Sequence, residues 1–287
     1  MPDIAYVNGH FSALEEATIP IEDRGFQFGD GVYEVVRTYG GVPFRLYDHL
    51  ARLETSARAV AIPVPLSRTD WEALIREGVQ RSDFAACMVY IQLTRGVAPR
   101  AHLFPSPEKP TVVMTFREIP ETDDVLRQQG VPVVTLPDLR WGRCSIKSLN
   151  LLPNVLAKQE ARDAGAVEAI LVKDGLVTEG CSSNVCLVRD GTIITPPLSD
   201  QLLAGVTRAV VLELAKKNGI AVEEREVPEQ ELTRADELFL IGTTIEVLPV
   251  STLNGVPVGD HVPGPVTRTV SEAFHRCILS ETGQEAG

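Results

Sequence analysis

Asn8-Gly9, Gly40-Gly41, Asp174-Gly175, Asp190-Gly191 and Asn254-Gly255 constrain this chain more than anything else in it. A tight type I′ turn needs positive φ at both central residues, which glycine adopts freely and asparagine or aspartate at small cost. Each pair separates short runs rich in β-formers, such as IAYV before Asn8 and EAILVK before Asp174. The expected units are hairpins, and the expected sheets are largely antiparallel. Helices fall between them. Asp48 is a candidate cap for a helix with Leu50, Leu53, Ala57 and Val60 on one face. Thr69 or Asp70 opens a second through Trp71, Leu74 and Ile75. Gln201 to Asn218 reads as a third that Gly219 stops, and a last helix starts near Pro265.

This mixture makes the fold class α+β. The polar stretch Arg117 to Val125, with Pro120 inside it, follows the apolar run TVVMTF and reads as a boundary. It gives a smaller N-terminal α+β domain over 1–119 and a larger C-terminal domain over 120–287 that carries Lys147. The site is expected between them.

Composition excludes several classes. The net charge of −12 disfavours nucleic acid, whose phosphates want a basic face. No apolar run reaches the roughly 20 residues of a membrane span, and MPDIAYVNGH lacks the basic start and apolar core of a signal peptide. A cytoplasmic location is expected. The five cysteines are scattered, as reduced thiols would be, and no metal site is expected.

Several residues are candidates for chemistry. In RCSIKSLNLL, Lys147 joins a polar run to a leucine-rich one, with Asn150 a candidate helix cap and Pro153 tolerated in the first turn. A lysine amine partly withdrawn from water becomes usable for a Schiff base; a snorkelling surface lysine is the plainer reading. In VTEGCSSNVCLV, Glu179 could hold a pyridine nitrogen protonated, or be a turn-end acid in water. AGVTRAVV puts Val206 and Thr207 near a helix start, where free N–H groups attract anions. IGTTIEVLPV puts Thr243 and Thr244 in a turn able to aim amides and hydroxyls at phosphate, and Arg52 could add a cation. TRGVAPRAHLFP carries Arg95, Arg100 and His102. The last two lie two apart, so an extended segment turns them the same way. A solvated basic loop is the alternative.

Taken together, DRGFQFGDGVYEVV, TRGVAPRAHLFP, RCSIKSLNLL, AKQEA, EAILVKDGLVTEGCSSNV, AGVTRAVV and GTTIEVLPV resemble the D-amino acid transaminases. These belong to the fold-type IV group of pyridoxal-phosphate enzymes, with the branched-chain aminotransferases. The resemblance implies a two-domain fold-type IV enzyme using pyridoxal 5′-phosphate. It implies transfer of an amino group from a D-amino acid, such as D-alanine or D-glutamate, to 2-oxoglutarate or pyruvate. Lys147 matches the lysine that holds the cofactor as a Schiff base and shuttles the proton between Cα and C4′. Glu179 matches the acid on the pyridine nitrogen, and Arg52, Val206, Thr207, Thr243 and Thr244 match the phosphate-binding positions. Tyr33, Arg100 and His102 match the trap for the substrate carboxylate. In the family this trap is assembled across a homodimer, with the arginine–histidine loop crossing from the partner.

The Arg100–His102 pair separates the chain from the branched-chain enzymes, which lack it. An aminodeoxychorismate lyase-like or branched-chain-type activity on the same scaffold is the alternative, and a non-catalytic cofactor-binding protein is a third. The chain departs from the family at Cys181 and Gly242, where serine is frequent, and at Phe26, where tyrosine is.

Overall fold

A computed structural model describes residues 3–119, 124–260 and 262–284. The chain divides into two compact units, Met1–Glu121 with Ile146–Asn150 and Glu281–Glu285, and Thr122–Ser145 with Leu151–Ser280 and Ala286–Gly287. Residues 120–123 of the expected boundary lie outside the described residues. Lys147 differs from expectation. Its segment packs with the N-terminal unit, because Ile146 is buried in that unit's core.

The N-terminal unit holds strands β1 (Ile4–Val7), β2 (His10–Ala13), β3 (Gly31–Tyr39), β4 (Val42–Pro43), β5 (Cys87–Thr94) and β6 (Thr111–Glu118). They form one antiparallel sheet in the order β2-β1-β6-β5-β3-β4. Helices α1 (Arg24–Phe28), α2 (Leu46–Ala59) and α3 (Arg68–Ser82) complete it. Leu50, Leu53 and Ala57 of α2 join Trp71 and Ile75 of α3 in a core with Val32, Val36, Val89 and Ile91 of the sheet.

The caps differ from those read in the sequence. Asp48 lies in the first turn of α2, 3.7 Å from Arg45, and Arg45 itself caps in the left-handed region at φ +53°. Ser67 caps α3 in a capping box with Asp70, the third residue of that helix.

The C-terminal unit is a nine-stranded sheet. Its strands are β7 (Val131–Pro137), β8 (Glu168–Lys173), β9 (Leu176–Gly180), β10 (Asn184–Arg189), β11 (Thr192–Thr195), β12 (Val222–Glu224), β13 (Glu237–Gly242), β14 (Glu246–Leu253) and β15 (Val256–Pro257). The order is β12-β11-β10-β13-β14-β7-β8-β9, with β15 on β14. Three pairings, β11/β12, β14/β7 and β7/β8, are parallel, so this sheet is mixed. Helices α4 (Asp124–Gln129), α5 (Leu152–Asp163), α6 (Val206–Lys217), α7 (Glu229–Leu232) and α8 (Pro265–Thr282) belong with these strands in the chain order. All five glycine dipeptides have positive φ at both residues and stand where hairpins were expected. No helix among the described residues is long and apolar enough to cross a membrane.

Candidate active site

Ile146–Asn150 adds to the start of β3 like a short extra strand. Ser148 bridges Val32 in antiparallel fashion, and Leu149 donates its N–H to Gly31 O at 3.1 Å. Gly31 permits this approach: a Cβ there would stand 2.7 Å from Leu149 Cδ1 and 2.8 Å from Leu93 O, inside van der Waals contact. Lys147 therefore has its backbone fixed on both sides. Its N–H donates to Ser56 Oγ on α2 at 3.2 Å, and its carbonyl accepts from Tyr33 N–H at 2.9 Å. The half-buried side chain carries Nζ 4.2 Å from the centre of the Tyr33 ring.

Arg52 and His49, on α2, converge on Glu34 of β3, which is 0% exposed. Arg52 donates from Nε and Nη2 to the two oxygens at 2.7 and 2.9 Å, and His49 Nδ1 lies 2.9 Å from Oε2. Burial alone would raise the Glu34 pKa. The Arg52 charge and the hydrogen bonds from Arg52 and His49 outweigh burial and bring it to about 2. Burial also lowers the His49 pKa, against the pull of Glu34. A neutral His49 thus donates through Nδ1 to an ionised Glu34. Arg52 is gripped by one edge of its guanidinium, with Nη1 on the side away from Glu34.

The residues expected to bind carboxylate fall in two places in the chain. Tyr33 sits on β3 against Tyr90 and Lys147. Arg100 and His102 are exposed and rest on Phe28, at 4.4 and 5.7 Å from its ring centre. No hydrogen bond, ion pair or ring contact joins Tyr33 to Arg100 or His102 among the described residues. Arg95 is 1% exposed and engaged with Asp30, Glu108 and the carbonyls of Val60 and Ala61.

In the C-terminal unit Glu179 is the next-to-last residue of β9 and is buried. One oxygen pairs with Arg140 Nη1, and the other accepts from Asn184 Nδ2 and Leu203 N–H, both at 3.1 Å. Asp138 fixes Arg140 in turn, through Nε at 2.9 Å and Nη2 at 2.7 Å. Burial raises the Asp138 pKa, but Arg140 leaves it net below the usual carboxylate value. Burial likewise opposes the charge on Arg140, and its two carboxylates more than compensate, raising its pKa.

Residues 201–204 are used here rather than in a helix. Gln201 O accepts from Arg140 at 3.0 Å and Leu203 O from Asn184 at 3.0 Å. The third expected helix therefore starts at Val206, five residues later than expected, with Gly205 as its cap. Val206 and Thr207 occupy its first turn, where backbone N–H groups have no partner within the helix. Thr243 and Thr244 stand half-buried in the turn between β13 and β14.

The three departures lie in different settings, with Gly242 the last residue of β13. Cys181 is buried among Ala161, Ala169 and Leu171, and burial pushes its thiol up to about 11. It is a packing residue. Phe26 is 74% exposed. Asn150 does not cap α5: the cap is Leu151 and makes no side-chain bond, with Pro153 in the first turn as expected.

Sequence reasoning missed Glu34, His49, Arg140 and Asp138. A usable signal existed for Glu34, a charge in phase with Val32 and Val36 on the buried face of a strand. Arg140 carried none, since it lies in an irregular stretch and meets Glu179 only through the tertiary fold.

The Amino-transferase class IV family profile matches residues 31–253. A D-alanine aminotransferase of Bacillus licheniformis is 45% identical over 279 residues, 96% of this chain and 98% of that one. One of Listeria monocytogenes is 42% identical over 281 residues, 97% of each chain. Among solved structures, the branched-chain amino acid aminotransferase of Escherichia coli superposes with a TM-score of 0.89 at 27% identity, over 100% of this chain and 98% of that one. The branched-chain enzyme of Thermoproteus uzoniensis, solved with norvaline, gives 0.87 at 28% identity, over 98% and 95%. A further branched-chain enzyme, solved with pyridoxamine 5′-phosphate, gives 0.86 at 30% identity, over 98% and 95%.

Proposed function

Because this chain belongs to the class IV aminotransferases, we propose that it moves the amino group of a D-amino acid to a 2-keto acid, with pyridoxal 5′-phosphate as cofactor. The observation that carries this reading is Lys147, whose backbone is tied on both sides while its amine stands beside Tyr33. Such a lysine can change what its amine holds without moving the chain around it. Relatives named D-alanine aminotransferase, at up to 45% identity, support the substrate class.

The residues suit the group. Glu179 is a buried acid oriented on both oxygens by Arg140, Asn184 and Leu203. The first turn of α6 and the Thr243–Thr244 turn offer amides and hydroxyls of the kind that bind phosphate. Ser183 Oγ, between β9 and β10, is buried with no hydrogen-bond partner among the described residues.

When bound, the cofactor supplies an electrophilic carbonyl carbon and a ring that draws electron density from the substrate's Cα. Lys147 would hold the cofactor through Nζ, and its amine, displaced by the incoming substrate amine, would be the base that moves the Cα proton. Glu179 keeps a proton on the pyridine nitrogen. Arg52, oriented by Glu34, together with Val206, Thr207, Thr243 and Thr244, holds the phosphate. Tyr33, Arg100 and His102 hold the substrate carboxylate, so that only the D-enantiomer aims its Cα–H at Lys147.

We assign the Arg100–His102 loop to the site of a second copy in a homodimer. Its exposure supports this. Leu103 is 84% exposed and Phe104, Phe26 and Ile21 are exposed with it, an apolar surface that water disfavours. Free, mostly buried thiols fit a reducing compartment such as the cytoplasm.

The fold likeness to branched-chain enzymes favours a second reading, L-amino acid transamination. A coupled assay tests both. D-alanine with 2-oxoglutarate should give pyruvate and D-glutamate. Preference for L-leucine overturns the D-specific reading, and pyruvate release from a substrate without any acceptor indicates a lyase.

A further inference from the structure

We propose that Arg24 is a positioning residue for carboxylate recognition, an inference that rests on the reading of Arg100 and His102 as carboxylate-binding groups. Arg24 is the first residue of α1 and is 3% exposed. Its guanidinium reaches into the loop that carries Arg100 and His102. Nη1 donates to Ala101 O at 2.5 Å and to Leu103 O at 3.3 Å, the two carbonyls flanking His102. Nε donates to Asp30 Oδ2 at 2.8 Å.

Asp30 is itself fixed. Arg95 holds it with Nε on Oδ2 at 2.9 Å and Nη2 on Oδ1 at 3.1 Å. The clasp on the loop is therefore rigid at its root, and Asp30 immediately precedes the strand that carries Tyr33. The same short helix supports the loop's side chains. Arg100 donates to Gln27 O at 3.1 Å, and the Phe28 ring carries Arg100 and His102 on it, with Arg24 Cζ 4.9 Å from its centre. One helix thus fixes the loop's main chain through Arg24 and its two functional side chains through Phe28. A bond to a main-chain carbonyl sets where a side chain starts, which matters most for a planar, directional contact such as guanidinium to carboxylate.

The test compares two donors on the cofactor-loaded enzyme, D-alanine and (R)-2-aminopropan-1-ol, which keeps the amine and configuration but lacks the carboxylate. Arg24→Lys keeps the charge but has one nitrogen where arginine uses two, Nε on Asp30 and Nη1 on the loop carbonyls, so it cannot tie Asp30 to the loop in the same way. We expect its half-reaction to need about tenfold more D-alanine, with the amino alcohol unchanged. Amide exchange across residues 98–105 of the cofactor-free protein should be faster. Phe28→Leu should act in the same direction, and carries the test if Arg24→Lys does not fold. Arg100→Ala separates the inference from the reading beneath it. If Arg100→Ala loses the preference for D-alanine while Arg24→Lys and Phe28→Leu keep it, Arg24 has no positioning role and the carboxylate reading stands. If Arg100→Ala keeps the preference, both are overturned.

Discussion

At the scale of single residues, the candidate site depends on buried charges that other buried charges hold. Arg140 faces both Asp138 and Glu179, and all three side chains are nearly inaccessible. Removing one partner of such a set leaves the others without a counter-ion, which costs more than the pair contributes. Arg140→Gln is therefore expected to lower stability by about 3–5 kcal/mol in urea unfolding, with a larger loss of cofactor affinity than any exposed arginine gives. A variant as stable as the parent would contradict that role. Glu34 holds Arg52 by the same logic. Glu34→Gln keeps the shape but loses the charge that grips Nε and Nη2. Affinity for pyridoxal phosphate should fall about tenfold, while affinity for pyridoxal, without the phosphate, stays as it was. Equal losses for both would place Glu34 in the fold alone.

At the scale of elements, the strand-like segment Ile146–Asn150 against β3 decides where the lysine stands. Gly31 is the contact that permits it. Gly31→Ala is expected to cost about 1–3 kcal/mol through overpacking and to reduce cofactor loading as Lys147 is displaced. Ser67→Ala, which breaks the capping box of α3, should cost about 1 kcal/mol and leave loading intact. The pair of variants separates loss of stability from loss of position, and both are read by thermal melting and the cofactor's absorbance.

These elements also show what was legible in the sequence. The hairpins were, because a positive φ at two adjacent residues is written in the local chemistry of Asn-Gly, Asp-Gly and Gly-Gly. The start of α6 was not, because residues 201–204 spend their backbone groups on Arg140, Asn184 and Glu179. The unit to which Lys147 belongs was not legible either. Its neighbours Ser56 and Tyr33 lie far away in the chain, and no local pattern names them. Glu34 stands between these cases: its core-facing phase was visible, but its partners on α2 were not.

At the scale of the whole molecule, buried titrating groups set the response to acid. Glu34 ionises at about 2 in the folded protein against a usual 4.5. Its contribution to stability is complete above the usual value and is lost as pH falls toward 2. The His49 pKa is also lowered by folding, from 6.5, so its contribution is present above 6.5 and is lost as pH falls below it. Melting temperature should therefore decline in two stages on acidification. His49→Gln should remove the upper stage and leave the lower one, and an unchanged profile would contradict the assignment.

Lys147 is proposed as the covalent anchor of the cofactor in a D-specific transaminase. Borohydride reduction of the loaded protein, followed by peptide mass spectrometry, tests it most directly. A pyridoxyl-phosphate adduct is expected on the peptide containing Lys147, lost when D-alanine is added before the reductant and retained with L-alanine. An adduct on another lysine, no adduct at all, or removal by L-alanine alone would contradict it.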